Sequence, residues 1–429
     1  MYTIKVIAKL LGARTSGPQI PEKCGQKPAS PAKPKVFAIT AIILFFSTMV
    51  VPVIASEPLK LLIFPMSGYS GSVGAWAGEG IALSLAGQLT DDEIQPFSRG
   101  ETEDLLIENG LPTDARLSSG SMIFVAEQAK ADYVVIGSFT ENDGGLKLSV
   151  RLLDIKAMKQ RSEFTVSGML ETLPVMENEL AWMIYSSVVQ TPALSREQFR
   201  ERARRVPNTA YAGYIESLNV FSESRQMQLL EKAIKEYADF AEARFRIGRL
   251  YYQKRDYARA LPHVEYGRKL PNERLQSDFM IGTCRLQLGE TAQAIEEYTR
   301  IISRTRHIAS LNNLAIAHVR NGDISLALRA LTDAVEQDPE DPSIVINLAI
   351  AQYISGDAPE AVKSVEAAVS VYPGNGMLHF MSSFLMNDAG NADRASAYMA
   401  QATRFGVDAY RLLREDPKVW MRVILDWEE

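Results

Sequence analysis

The sequence predicts a small mixed α/β domain followed by an all-α solenoid of helical repeats. Two patterns indicate this fold class. Between residues 57 and 190, short apolar runs of strand length alternate with helical patterns. Between residues 207 and 408, small and apolar residues recur at a period of about 34. The 429 residues, of which 46% are hydrophobic and 23% charged, are enough for two or three globular domains.

Residues 1–55 have the composition of a targeting segment. Residues 1–35 carry a net charge of +6, and residues 36–55 contain no charged residue. A basic flank, an apolar run and small residues at Val53 and Ala55 predict a secretory signal peptide cleaved after Ala55. An uncleaved anchor stays open as the alternative, because about 20 apolar residues can span a bilayer. We expect a periplasmic protein in the first case. In the second we expect one held in the inner membrane, facing the periplasm and touching the membrane only through residues 36–55.

Residues 56–190 predict the α/β domain, with a mixed sheet and helices packed against it. Leu146, Leu148, Val150 and Leu152 alternate along one strand, and the turn sequence NDGG precedes them. The expected elements are strands at 59–66, 93–99, 132–141, 145–155 and 159–168, and helices at 75–90, 102–111, 119–131 and 173–189.

Three sequence runs in this domain match a known type. LLIFPM, AEQAKADYVVIGSF and LKLSVRLLDI, with a helix after a Gly-rich loop, together resemble the TolB amino-terminal-like domain of bacterial envelope proteins. Related domains of flagellar and curli assembly proteins are more distant. The resemblance covers residues 56–190 and implies a role in the cell envelope, with no catalytic residues.

The Gly-rich loop offers an alternative function. Gly68, Gly71 and Gly74 precede a helix whose backbone amides could hold an anion. Their spacing is GxxGxxG rather than GxGxxG, and no P-loop lysine follows. A flexible loop is therefore the favoured interpretation, and a nucleotide-like ligand is the alternative.

Residues 191–206 predict a charged linker with a net charge of +3. Its sequence SREQFRERARR pairs Glu and Arg at helical spacing, which favours a solvated helix over a binding patch.

Residues 241–408 contain five repeat units in register. The small residue of the first helix is Gly248, Gly282, Ala315, Ala349 and Ser383 in successive units. An alanine follows twelve residues later in each unit, at Ala260, Ala294, Ala327, Ala361 and Ala395. Small residues where two helices cross, turn glycines and closing prolines are typical of the tetratricopeptide repeat (TPR). Residues 207–240 are expected to form a degenerate capping repeat, and residues 409–429 a C-terminal capping helix.

The resemblance to TPR proteins implies that a protein or peptide partner binds along the first helix of each unit. Carried over by register, the expected partner-binding positions are Phe245, Arg249, Tyr252, Gln253, Phe279, Thr283, Gln287, Asn312, Arg320, Tyr353, Phe380, Phe384 and Asn387. Glu242, Gln276, Ile316, Ile346, Ile350 and Asp388 share this face. The family's clamp for a C-terminal carboxylate needs Lys and Asn together, and here only Asn313 and Asn347 are present.

Charge is distributed unevenly along the repeats. Residues 241–306 contain 13 basic and 8 acidic residues, whereas residues 307–408 contain 5 basic and 12 acidic residues. A partner with the opposite gradient would therefore be steered into one orientation.

Several function classes are disfavoured by composition. The formal charge of −6 argues against a nucleic-acid partner. All four histidines lie in the repeats, and no GxSxG, HExxH or CxxC sequence is present, so we expect neither catalysis, nor a metal, nor a cofactor. Cys284, with Ile281 and Leu288 as helical neighbours, is expected to be a small buried hydrophobe.

The leading hypothesis is a non-enzymatic periplasmic scaffold in cell-envelope assembly or transport. A small-ligand sensing module, with the Gly-rich loop binding an anionic molecule, is the alternative.

Overall fold

The computed structural model describes residues 57–69, 74, 76–113, 117–142 and 145–427, and these form an N-terminal mixed sheet followed by a helical array. The predicted fold class is confirmed. The predicted targeting segment, residues 1–55, and Gly71 of the Gly-rich loop lie outside the described residues. Within the part that is described, no helix is both long and apolar enough to cross a membrane.

The sheet has the strand order β3-β1-β4-β5-β6, and β2 pairs with β4. The pairs made by β1, β2 and β3 are parallel, and those joining β4, β5 and β6 are antiparallel. The strands are β1 (Leu59–Ile63), β2 (Ser67–Tyr69), β3 (Ile94–Pro96), β4 (Tyr133–Asn142), β5 (Gly145–Asp154) and β6 (Lys159–Gly168). The helices are α1 (Ala77–Leu89), α2 (Arg99–Glu108), α3 (Ser119–Gln128) and α4 (Leu173–Val188).

Helices cover both faces of the sheet because consecutive β1 residues point to opposite sides. Leu61 belongs to a core cluster with residues of α1 and α4, whereas Leu62 belongs to a second cluster with residues of α2 and α3. The alternating residues of β5 are buried as their period predicts, and Leu148 has no exposed surface. The result is three layers, with the sheet in the middle.

The linker, residues 191–206, differs from the predicted solvated helix. Its helix α5 is limited to Arg196–Arg200, and Phe199 within it is fully buried. The Arg204 guanidinium pairs with the Glu177 carboxylate at 3.2 Å, and both side chains are buried. Arg202 donates to the Gln88 carbonyl. The charge spacing predicts a solvated helix, but Arg202 and Arg204 lie beyond the end of α5 and bond to residues of the α/β domain.

The array consists of helix pairs in which small residues allow close crossings. A Cβ atom at Gly248 would lie 2.6 Å from the backbone nitrogen of Val264, so only glycine fits there. The helices are α6 (Asn208–Leu218), α7 (Glu223–Glu236), α8 (Ala241–Gln253), α9 (Tyr257–Val264), α10 (Arg274–Gln287), α11 (Thr291–Ile302), α12 (Ile308–Asn321), α13 (Ile324–Gln337), α14 (Pro342–Ile354), α15 (Ala358–Val371), α16 (Gly376–Asp388) and α17 (Ala392–Arg404).

The α/β domain and the start of the array share one hydrophobic core. The Trp76 ring packs edge-on against the Tyr211 ring at 6.0 Å, and the Tyr211 hydroxyl donates to the Gly80 carbonyl. Tyr211 in turn contacts Phe240, which immediately precedes α8 of the first full repeat unit. All of these residues belong to one core cluster or bond to it, so the degenerate repeat joins the sheet domain to the array.

The C-terminal region differs from the predicted capping helix over 409–429. Helix α18 covers only Ala409–Leu412, and a 3₁₀ turn covers Pro417–Trp420. Residues 421–427 form no helix or strand. Pro417 cannot continue a helix from α18, and the backbone beyond the turn bonds to side chains of the array instead of to itself.

Candidate functional site: the repeat groove and its C-terminal strap

The first helices of the repeat units form a groove that contains part of the same chain. We call residues 422–427 the strap. The groove is defined by the side chains that contact the strap, together with the aromatic pair that precedes it at the fifth unit: Tyr252, Phe279, His307, Asn312, Asn313, Asn347, Phe380 and Phe384.

Two asparagines hold the strap backbone by paired hydrogen bonds. Asn347 accepts from the Arg422 amide at 2.7 Å and donates to the Arg422 carbonyl at 2.9 Å. Asn313 does the same for Ile424, at 2.9 and 2.7 Å. A side-chain amide has one donor and one acceptor side, so each asparagine satisfies both polar groups of one residue as a neighbouring β-strand would.

The repeat geometry explains the spacing of these clamps. Asn313 and Asn347 occupy the same position in consecutive units, two residues before the small residue of the first helix. Arg422 and Ile424 are two residues apart, and in an extended segment alternate residues present their backbone groups to the same side. Between these two clamps the strap therefore advances two residues per repeat, from the fourth unit to the third and so against the order of the units.

A third asparagine connects the two clamps. Asn312 accepts from Asn347 at 2.7 Å and donates to the Arg422 carbonyl at 2.9 Å. All three asparagines have no exposed surface. Buried amides are stable only when their donors and acceptors are satisfied, and here the strap supplies much of that satisfaction.

An aromatic pocket receives Trp427 at the far end of the strap. The Trp427 ring stacks on the His307 ring at 3.9 Å and lies 5.6 Å from the Phe279 ring. The Tyr252 hydroxyl donates to the Leu425 carbonyl at 2.9 Å. Burial raises the pKa of the Tyr252 hydroxyl, so it remains a donor at neutral pH.

Trp420, two residues before the strap, is anchored differently. Trp420 is buried and packs edge-on against Phe380 and Phe384, with ring centroids 5.0 and 4.9 Å apart. Its indole nitrogen donates to the Leu412 carbonyl at 3.1 Å. Trp420 therefore closes the end of the array together with α18, whereas the described hydrogen bonds and ring contacts of the strap go to groove residues.

The structure brings five of the thirteen predicted partner-binding residues to Trp420 or the strap: Tyr252, Phe279, Asn312, Phe380 and Phe384. Tyr353 lies beside them and packs against Phe384 at 5.1 Å.

The other predicted residues have different roles. Phe245 and Thr283 are buried in packing, and the Thr283 hydroxyl bonds to that of Tyr298. Arg320 donates to the Leu286 carbonyl, which closes the end of α10. Four predicted partner-binding residues are exposed or half-buried and have no described hydrogen bond to the strap: Arg249, Gln253, Gln287 and Asn387. On the same face, Ile316, Ile346 and Ile350 are buried, and Glu242 and Asp388 are exposed.

From the sequence, His307 is not identified as a groove residue, and Asn313 and Asn347 are not included among the partner-binding positions. His307 caps α12 through Ser310, so its position before a helix is a visible signal, but its stacking on Trp427 is not. The two asparagines are 34 residues apart, and that repetition alone was the available sign of a paired function.

The strap carries a charge gradient opposite to that of the array. Arg422 lies at the acidic part, residues 307–408, and Asp426 lies toward the basic part, residues 241–306. Both side chains are exposed, so they are free to respond to the field of the array.

Residues with reactive side chains are accounted for by packing. Cys284 has no exposed surface, and burial raises the pKa of its thiol to about 12. Asp278 and Glu297 are buried, and both pair with Arg268. His379 bonds to the Pro373 carbonyl. Over the described ranges, no group of three His, Cys, Asp or Glu residues could hold a metal ion.

The glycines proposed to bind an anion are only partly described. Gly68 lies in β2, where a Cβ atom would be 2.4 Å from the Phe139 carbonyl oxygen, so close strand packing accounts for this glycine. Gly74 has a φ of +79°, a value that favours glycine. Gly71 lies outside the described residues.

Family models decide the identity of the repeats. Two models described as tetratricopeptide repeat match, one at residues 228–273 and 312–376 and the other at residues 276–304. Residues 228–376 contain tetratricopeptide repeats. Among curated proteins, none matches this chain significantly.

Parts of this chain are similar to several solved structures. A crystal structure of MamA is 17% identical, with a TM-score of 0.34, and the match covers 39% of this chain and 98% of that one. YrrB, described as a TPR protein with an unusual peptide-binding site, is 17% identical, with a TM-score of 0.34 and coverage of 43% and 98%. MamA from Desulfovibrio magneticus RS-1, from residue 41 to its end, is 15% identical, with a TM-score of 0.36 and coverage of 38% and 94%.

Proposed function

We propose that this protein is a non-enzymatic scaffold that binds an extended segment of a partner protein in the TPR groove. The occupied groove is the observation that carries the proposal. Asn313 and Asn347 recognise backbone groups of Ile424 and Arg422, and Phe279 receives the Trp427 side chain. Backbone recognition combined with aromatic pockets is how extended peptides are bound.

The proposed location is the periplasmic side of the bacterial cell envelope. The basic and apolar composition of residues 1–55 supports export. The resemblance of residues 56–190 to TolB amino-terminal-like domains supports a role in envelope assembly or transport. In this proposal the sheet domain contacts one envelope component, and the groove holds a second.

Partner capture with matched variants tests this function. The full chain, Asn313→Ala/Asn347→Ala and Gln352→Ala would each be purified from envelope fractions after cross-linking, and bound proteins identified by mass spectrometry. Gln352 is the control because it is buried on the same helix as Asn347 but bonds to Ser364 of α15 and not to the strap. We expect a partner retained by the native chain and the control but lost from the asparagine variant. Equal capture by all three would refute binding through the groove.

A further inference from the structure

We propose that the strap is an internal competitor for the partner, and that the partner's segment has the same chemistry as the strap. This inference rests on the proposed function, because it assumes a partner that enters the groove. The partner segment is an extended peptide of about six residues, with an aromatic side chain five positions after the residue held by Asn347.

The attachment of the strap suits a reversible competitor. It belongs to no helix or strand, and its described backbone hydrogen bonds all go to the side chains of Asn312, Asn313, Asn347 and Tyr252. Releasing it therefore breaks no secondary structure. The half-buried residues Val423, Ile424, Leu425 and Trp427 contrast with the buried Trp420, which stays in place as the pivot.

The groove asparagines favour an extended occupant. Releasing the strap would remove the backbone partners of the Asn313 and Asn347 amides, and water would have to replace those bonds. Another extended backbone restores both pairs of bonds irrespective of its side chains. The clamps thus select conformation, and the pocket of Phe279 and His307 selects an aromatic residue.

The charges of the strap and of the array also favour one orientation of a bound peptide. A basic residue at the position of Arg422 and an acidic residue at that of Asp426 face the acidic and basic parts of the array. A partner with this polarity binds in the same direction as the strap, and one with reversed charges is disfavoured.

Tethering determines how strongly the strap competes. A short segment attached beside its site has an effective concentration of about 1 mM. If the free strap peptide binds with a Kd of about 10 μM, the groove is open in about 1% of molecules. Loss of the internal contacts should then strengthen peptide binding by about 10- to 100-fold.

A fluorescein-labelled peptide with the sequence of residues 420–429 would measure this competition by anisotropy. The proteins compared are the full chain, Trp427→Ala, Trp427→Ala/Asn347→Ala and the control Val419→Ala. Val419 is exposed in the 3₁₀ turn just before the strap. We expect Trp427→Ala to bind the peptide about 10- to 100-fold more tightly than the native chain and the Val419 control, and Asn347→Ala to remove that gain.

Ile424→Pro is the second variant. It removes the backbone N–H that donates a hydrogen bond to Asn313, and it leaves every groove residue unchanged. It should open the groove as Trp427→Ala does, and thermal unfolding would check that both proteins fold. Equal peptide affinity in the native chain and both strap variants overturns the proposal. A native dimer in which each strap occupies the other copy's groove, detected by sedimentation, also overturns it. If partner capture still depends on Asn313 and Asn347, only the internal competition has failed; if it does not, the proposed function has failed as well.

Discussion

Replacing Asn347 by alanine should release the strap without unfolding the array. The Asn347 amide makes three hydrogen bonds of 2.7 to 2.9 Å, two to Arg422 and one to Asn312, and it is fully buried. Each such bond contributes about 1 kcal/mol net. Only the two bonds to Arg422 break when the strap opens, so their loss should lower the free energy of opening by about 2 kcal/mol, a factor of about 30 in the opening equilibrium constant.

Hydrogen–deuterium exchange read on C-terminal fragments measures this opening. The amides of Arg422 and Ile424 are protected while Asn347 and Asn313 accept from them, so exchange of these two amides should accelerate by about that factor. Gln352→Ala removes one buried hydrogen bond from the same helix and should leave these residues protected. The reasoning is refuted if both variants accelerate exchange equally, or if residues 421–427 of the native chain already exchange as an unfolded peptide does.

Three further predictions concern the scaffold around the groove. Arg204→Ala should cost about 3–5 kcal/mol of stability, because it leaves the buried Glu177 carboxylate without its cation. Burial raises the pKa of Glu177 above 4.5, the ordinary pKa of an exposed glutamate. The free energy of unfolding of this variant, measured with urea, should therefore fall as the pH rises above 4.5, and equal losses at pH 5 and pH 7 would contradict this. Cys284 should resist alkylation at pH 8 until urea unfolds the array; labelling of the peptide that contains Cys284, in the native protein, would show that this thiol is exposed. Gly248→Val should lower the Tm by several degrees, because its side chain would overlap the Val264 backbone; an unchanged melting curve would show that the helix crossing can widen.

Much of the fold was predictable because its signals are local or periodic. The alternation of Leu146, Leu148, Val150 and Leu152 places β5 at its observed residues, and the period of 34 places the repeat helices. Both signals arise from side chains that must face a core at fixed intervals.

The strap was not predictable in the same way. Its extended conformation is stabilised by residues distant in sequence, such as Asn313, which is 111 residues before Ile424. No pattern within residues 421–427 indicates that, and an amphipathic stretch near a repeat array favours a capping helix. The linker was mispredicted for the same reason, because its conformation depends on residues distant in sequence. Phe199 and Arg204 pack on the sheet domain, whereas the charge spacing within the linker predicts a solvated helix.

The shared core of the sheet domain and the first repeats has a consequence for biosynthesis. The α/β domain leaves the ribosome before residues 207–240, so Trp76 and the neighbouring face of α1 lack the ring of Tyr211 until that segment follows. An apolar surface exposed in this interval promotes association between nascent chains, and a chaperone would need to cover it. Truncated proteins would show the same effect. A fragment ending near residue 190 would expose this apolar surface permanently, whereas a fragment extending through α8 would keep the residues that bury it.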